Sequence, residues 1–165
     1  MAPRQKPHRS KQDYQTPPEL LSAIRRDFSV QQWAIDLAAD ASNTVCPSWL
    51  GPGSPDGENA LEKDWGGPLM NLYPGADVWL NPPFSHIDPW AEKCATTIRV
   101  GRIFLLVPAS VGSNWYQAHV HGRAHVVAIS PRVTFVGCKD PYPKDLVIAV
   151  FGPVRGGFST WRWKP

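Results

Sequence analysis

The run Asp77-Val78-Trp79-Leu80 is apolar without alternation and passes straight into Asn81-Pro82-Pro83-Phe84. A non-alternating apolar run suits a strand covered on both faces, so it reads as an interior strand of a parallel sheet. Two successive prolines then stop it. Each fixes its own φ and drives the residue before it toward extended geometry, which holds Asn81 and Pro82 out of helical conformation at the strand end. The resulting hook brings the Asn81 amide, the Pro82 carbonyl and the Phe84 ring toward one small volume. A side-chain oxygen beside a main-chain oxygen can accept both hydrogens of an exocyclic NH2 group, and a neighbouring ring offers a stacking face to the planar base that bears it. Proline pairs also end strands with no ligand in view, and Asn-Pro opens ordinary turns.

The same texture recurs along the chain. Arg102 to Pro108 is a second continuous apolar run, and between the two runs Trp90, Ala91, Cys94 and Ala95 give helical spacing over Ile87 to Ile98. Trp33-Ala34-Ile35-Asp36-Leu37 reads as a buried strand carrying an acid at its end. Upstream, Thr16-Pro17-Pro18-Glu19 predicts a helix with Thr16 as N-cap and Pro17 at its first position, followed by Leu20, Leu21, Ile24 and Phe28 on one face. Ser48 to Gly57 carries the turn residues of a loop. Ser113 to Val120 predicts a short helix. His125 to Ile129, Val133 to Val136 and Leu146 to Phe151 then predict strands too close together for crossover helices, hence antiparallel pairing at the end of the sheet. The expected class is α/β, three-layered and Rossmann-like, with a mostly parallel sheet and antiparallel C-terminal strands.

With 165 residues, 42% of them hydrophobic, the chain has material for one core, expected over residues 13–165 behind a flexible basic arm at 1–12. Cys46, Cys94 and Cys138 are odd in number and widely spaced, which argues against a disulfide framework or a zinc site. The opening residues lack an apolar signal core and no stretch approaches a membrane span, so a cytoplasmic protein is expected. The net charge of +3 is modest, but Arg4, Lys6, Arg9 and Lys11 crowd the arm, which suits contact with a polyanion. A solvated tail with no partner reads equally well from the same residues.

Four segments in order resemble the phage-type DNA N6-adenine methyltransferases. Asp13-Tyr14-Gln15-Thr16-Pro17 resembles the family's aromatic-x-Thr-Pro element, Ile35-Asp36-Leu37-Ala38-Ala39-Asp40 its strand-end acid, and Leu61 to Trp65 its Leu-x-x-x-Trp element. Asn81-Pro82-Pro83-Phe84 resembles its catalytic Asn-Pro-Pro-(Tyr/Phe) loop. Leu106 to Ala109 with Trp115, and Pro131 to Phe135, resemble two later elements. The likeness runs from about Asp13 to Phe151.

That resemblance implies methyl transfer from S-adenosylmethionine to N6 of a flipped adenine in DNA, without a metal or a membrane. It assigns catalysis to Asn81, Pro82, Pro83 and Phe84, and cofactor binding to Tyr14, Thr16, Pro17, Asp36, Ala38, Asp64 and Asn81. Arg132, Lys139 and Lys144 join the arm as expected DNA contacts. The chain departs from the pattern in lacking glycines after the first strand and in having Phe84 for the usual tyrosine. No acid stands out as the ribose ligand; Asp40, Glu58 and Asp64 all qualify. Each assignment has a plainer alternative: Asp36 as a strand-end acid with no ligand, Thr16 as a cap alone, Trp65 as core, His86 as structural rather than a base. Glutamine methyltransferases of proteins share the hook, since an amide NH2 presents the same two hydrogens, but add a glycine-rich loop and a helical domain. A catalytically inactive DNA-binding module of the same fold is the third reading.

Overall fold

The computed structural model describes residues 14–66, 76–97 and 101–165. Its centre is a six-stranded sheet built from β1 (Trp33–Asp36), β2 (Asp77–Leu80), β3 (Ile103–Pro108), β4 (His125–Ser130), β5 (Leu146–Phe151) and β6 (Gly157–Arg162). The spatial order is β1-β2-β3-β5-β4-β6. Five strands run one way and β5 alone runs against them, inserted between β3 and β4.

The apolar runs lack alternation because both faces of the sheet are covered. Along β2 and β3, Val78, Leu80, Ile103, Leu105 and Val107 enter one core, while Trp79, Phe104 and Leu106 enter the other. Helix α1 (Pro18–Asp27) closes the second core with Leu20, Ala23 and Ile24. Helix α2 (Asp88–Thr96) closes the first with Ala91 and Cys94, helped by a short π-helical segment, Tyr116–Val120, through Tyr116 and Val120. Glu19 in the first turn of α1 and Arg25 and Arg26 in the last complement the helix dipole. The helix ends where Ser29 takes a left-handed φ of 54° and the Val30 N–H returns to the Arg25 carbonyl.

Three details differ from the sequence reading. The N-cap of α1 is Pro17, not Thr16, and no side chain caps the helix. Val133 to Val136 is not a strand: Val133 and Phe135 are buried from an irregular loop, so the β-branched and aromatic run reflects burial rather than pairing. Beyond β5 the chain adds β6, an exposed edge strand that lies parallel to β4, so only β5 supplies the antiparallel pairing expected of the C-terminal part. The Trp161 indole ties β6 to α1 by donating to Asp27 at 2.9 Å. Among the described residues no helix is long and apolar enough to cross a membrane.

Candidate functional site

β1 and β2 are parallel neighbours, so their carboxyl ends stop side by side, and the Leu37 N–H bonds the Trp79 carbonyl across them. Ligands of open α/β sheets sit beyond such ends. Here a cleft of about 260 Å³ opens between the hook and the loop that follows β1. Ala38, Ala39, Asp40 and Asn43 line it from the β1 end, Asn81 and Pro83 from the β2 end. Leu50, Gly51, Pro52, Glu58, Asn59 and Ala60 form the outer wall, and Trp90 of α2 and Tyr14 complete it.

Asn81 is held in one orientation. Its Nδ2 donates to the Tyr14 carbonyl at 2.7 Å and to the Thr16 hydroxyl at 3.1 Å. A backbone carbonyl can only accept, so the nitrogen end of the amide must face Tyr14 and the oxygen end must face away. Among the described residues no donor reaches Asn81 Oδ1 or the Pro82 carbonyl. Among the described residues both acceptors of the hook are therefore without a donor, Pro82 itself being buried, while both amide hydrogens of Asn81 are engaged behind it.

Asp36 has a different place from the one expected. Its carboxylate is buried, does not line the cleft, and accepts the Ala38 N–H at 3.3 Å and the Val45 N–H at 3.1 Å. Burial pushes it up from 3.8 to about 7, against the pull of those two N–H groups. It staples the β1 loop to the strand end and shapes the cleft from behind. The acid facing the cleft from this loop is Asp40, which the Ser42 hydroxyl and N–H hold below the ordinary carboxylate range. Glu58 is the second acid on the cleft, so two of the three ribose candidates are there. Asp64 is the exception: it accepts the Gly66 N–H at 2.9 Å, exposed and off the cleft.

Gly51 explains how the β1 loop comes so close. With φ at 144°, a Cβ on it would fall 1.9 Å from the Ala39 carbonyl oxygen. The glycine needed for close backbone approach is thus present, on the returning limb of the loop rather than directly after β1. Thr16 and Pro17 are buried behind the hook and do not line the cleft. Trp65 is core, stacked at 6.2 Å on Trp90, and His86 is exposed.

On the other side of the hook four rings, Tyr14, Phe84, Phe135 and Tyr142, all meet one another. The closest pair is Tyr14 and Phe135, stacked at 4.7 Å; the widest is Phe84 and Phe135, at 6.2 Å. Tyr14, Phe135 and Tyr142 open onto a second pocket of about 330 Å³, walled also by Cys138, Lys139 and Pro141. Tyr14 lines both pockets and is the partition between them. Arg132 braces this loop, donating to Asp145 at 3.0 Å and to the Pro143 carbonyl at 3.1 Å, so its guanidinium is engaged inside the loop. Lys139 and Lys144 are exposed on the same loop. Arg4, Lys6, Arg9 and Lys11 lie outside the described residues.

Sequence reasoning did not single out Asn43, Leu50, Gly51, Asn59 or Tyr142, and it read Trp90 only as a helical position. The glycine-rich Ser48–Gly57 loop was the one available signal; the others converge only when β1 and β2 align. Among the described residues no group of three or more histidines, cysteines or acids is placed to hold a metal ion.

A mostly parallel α/β sheet with a cleft at the carboxyl ends of two neighbouring strands, and an aromatic pocket beside it, has the layout of a ligand-binding α/β protein. The profile of the DNA N-6-adenine-methyltransferase (Dam) family matches residues 4–145, most of the chain and all of this site, and the chain belongs to that family. A relative, the DNA N-6-adenine-methyltransferase of Escherichia phage T1, is 25% identical over 122 residues, which are 73% of this chain. Those residues span 46% of the relative, so the chain matches about half of that protein's length.

Proposed function

We propose that the chain transfers the methyl group of S-adenosylmethionine to N6 of adenine in DNA, on a compact Rossmann-like methyltransferase fold. The observation that carries this reading is the orientation of Asn81 on the cleft, whose hydrogens are turned back onto Tyr14 and Thr16 so that its oxygen faces the other way. An adenine amine is a poor nucleophile because its lone pair is delocalised into the ring. When Asn81 Oδ1 and the Pro82 carbonyl accept its two hydrogens, the nitrogen moves toward tetrahedral geometry and its lone pair turns away from the two oxygens. The same oxygens stabilise the positive charge that grows on nitrogen. A proton then leaves that nitrogen for solvent.

The cleft suits the donor by its chemistry. Asp40 and Glu58 match a ligand with an ammonium group and ribose hydroxyls; Leu50, Pro52 and Trp90 match an adenine ring. S-adenosylmethionine, when bound, supplies a methyl group on a sulfonium whose sulfur keeps the electron pair of the broken bond. Asp36 acts on that ligand only through the loop it staples. The aromatic pocket suits the acceptor: unstacking a base costs a few kcal/mol, and stacking on rings that line the pocket, such as Tyr14 and Tyr142, offsets about 1–3 kcal/mol of it. Lys139 and Lys144, with the basic arm, provide phosphate contacts, whereas Arg132 supports its loop.

The purified protein, given methyl-labelled S-adenosylmethionine with duplex DNA, single-stranded DNA or a protein extract, should label DNA as N6-methyladenine. Label confined to protein would favour amide methylation instead, and label nowhere would leave a binding module.

A further inference from the structure

We infer that Tyr14-Gln15-Thr16 is a strap that sets the Asn81 amide, with Thr16 as a positioning residue; this rests on the methyltransferase reading above. Family resemblance puts these residues against the donor, yet Thr16 is buried off the cleft and its hydroxyl faces Asn81 Nδ2 at 3.1 Å. The three residues bind two different parts of the site, the hook and the aromatic loop. The Tyr14 carbonyl and the Thr16 hydroxyl take the two hydrogens of Asn81 from 67 and 65 residues away. The Gln15 carbonyl accepts the Val136 N–H at 3.1 Å, and the Tyr14 ring stacks on Phe135. The strap thereby fixes the hook and the aromatic loop relative to each other.

An asparagine amide left with one partner can turn about its last side-chain bond, which is broad and roughly two-fold. Two partners close that freedom and keep Oδ1 toward the open side. The Tyr14 contact is main-chain and survives any substitution, so Thr16 is the half of the lock that can be removed. Threonine to valine keeps the shape and deletes the hydroxyl, leaving one amide hydrogen unpaired.

Thr16→Val should lower kcat on duplex DNA about 10-fold, the scale of one lost hydrogen bond, while S-adenosylmethionine affinity by calorimetry stays within about two-fold. Thr16→Ser, which keeps the hydroxyl, should restore most of the rate. In an Asn81→Ala background Thr16→Val should add almost nothing, because a residue that acts through Asn81 has nothing left to position. Weakened donor affinity with unchanged kcat would overturn the inference, as would a full, additive loss in the Asn81→Ala background. The Asn81 side-chain NH2 signals, followed by 15N NMR without substrate, keep the two readings apart. Slow hydrogen exchange there in the wild type, lost in Thr16→Val, supports the strap even if DNA is never methylated. Equal exchange in both proteins refutes it.

Discussion

The loop after β1 and the loop after β4 flank the same hook, yet they are held by different means. The β1 loop is fixed from behind, by main-chain bonds to its own strand and by a buried carboxylate that touches no part of the cleft. The β4 loop is fixed through Tyr14, Phe135 and Tyr142, which are themselves the walls of the pocket. Structure and binding can therefore be separated on the donor side at Asp36, which supports the loop without lining the cleft, although Gly51 does both. They coincide on the acceptor side. Under the proposed function, a donor that is the same molecule in every turnover suits a preset cleft, and a base that arrives by flipping suits a surface of rings.

Substitutions should divide along that line. The largest effect is expected from Gly51→Ala, because the new Cβ would meet the Ala39 carbonyl in a backbone conformation that side chains rarely adopt. A loss of roughly 3 kcal/mol in urea unfolding should come with weakened donor binding. Normal donor affinity would mean that the close approach does not shape the cleft.

Asp36 comes next. An acid with a raised folded pKa binds its proton more tightly when folded, so this contribution is full below the unfolded value of 3.8 and fades as pH rises through about 7. Between roughly pH 5 and pH 7 the wild type should lose up to about 2.5 kcal/mol relative to Asp36→Asn, followed by urea melts of both proteins. Parallel pH profiles would remove Asp36 as a buried staple.

On the acceptor side, Phe135→Leu removes one ring of four and should weaken DNA binding about 10-fold, with donor affinity unchanged. A drop in donor affinity of the same size would erase the distinction between the loops. The smallest effect is expected for Arg132→Ala. Its partner Asp145 is exposed, so about 0.5 kcal/mol of stability is at stake, and the salt dependence of DNA binding should not change. A shallower salt slope would return Arg132 to the DNA contacts.

What the sequence disclosed was local. The hook, β1 to β3 and both helices were legible because prolines, unbroken apolar runs and helical spacing act within a few residues. The edge strand β6 escaped because four of its six residues are exposed and no apolar pattern marks it. Val133 to Val136 misled for the opposite reason, since two of its apolar residues are buried without pairing. Residue identity announced Asp36 and Thr16 as ligands or caps. Their actual partners, Val45 at nine residues' distance and Asn81 at 65, are set by the fold, which no local pattern encodes.

The open oxygen of Asn81 is the claim on which the account turns, and one comparison tests it most directly. DNA from cells expressing the wild type or Asn81→Ala can be digested to nucleosides and quantified by mass spectrometry, with S-adenosylmethionine affinity of both purified proteins measured alongside. The expected result is abundant N6-methyladenine with the wild type and a loss of about 10²–10³ in rate with Asn81→Ala, at nearly equal donor affinity. Near-normal N6-methyladenine formation by Asn81→Ala would contradict it.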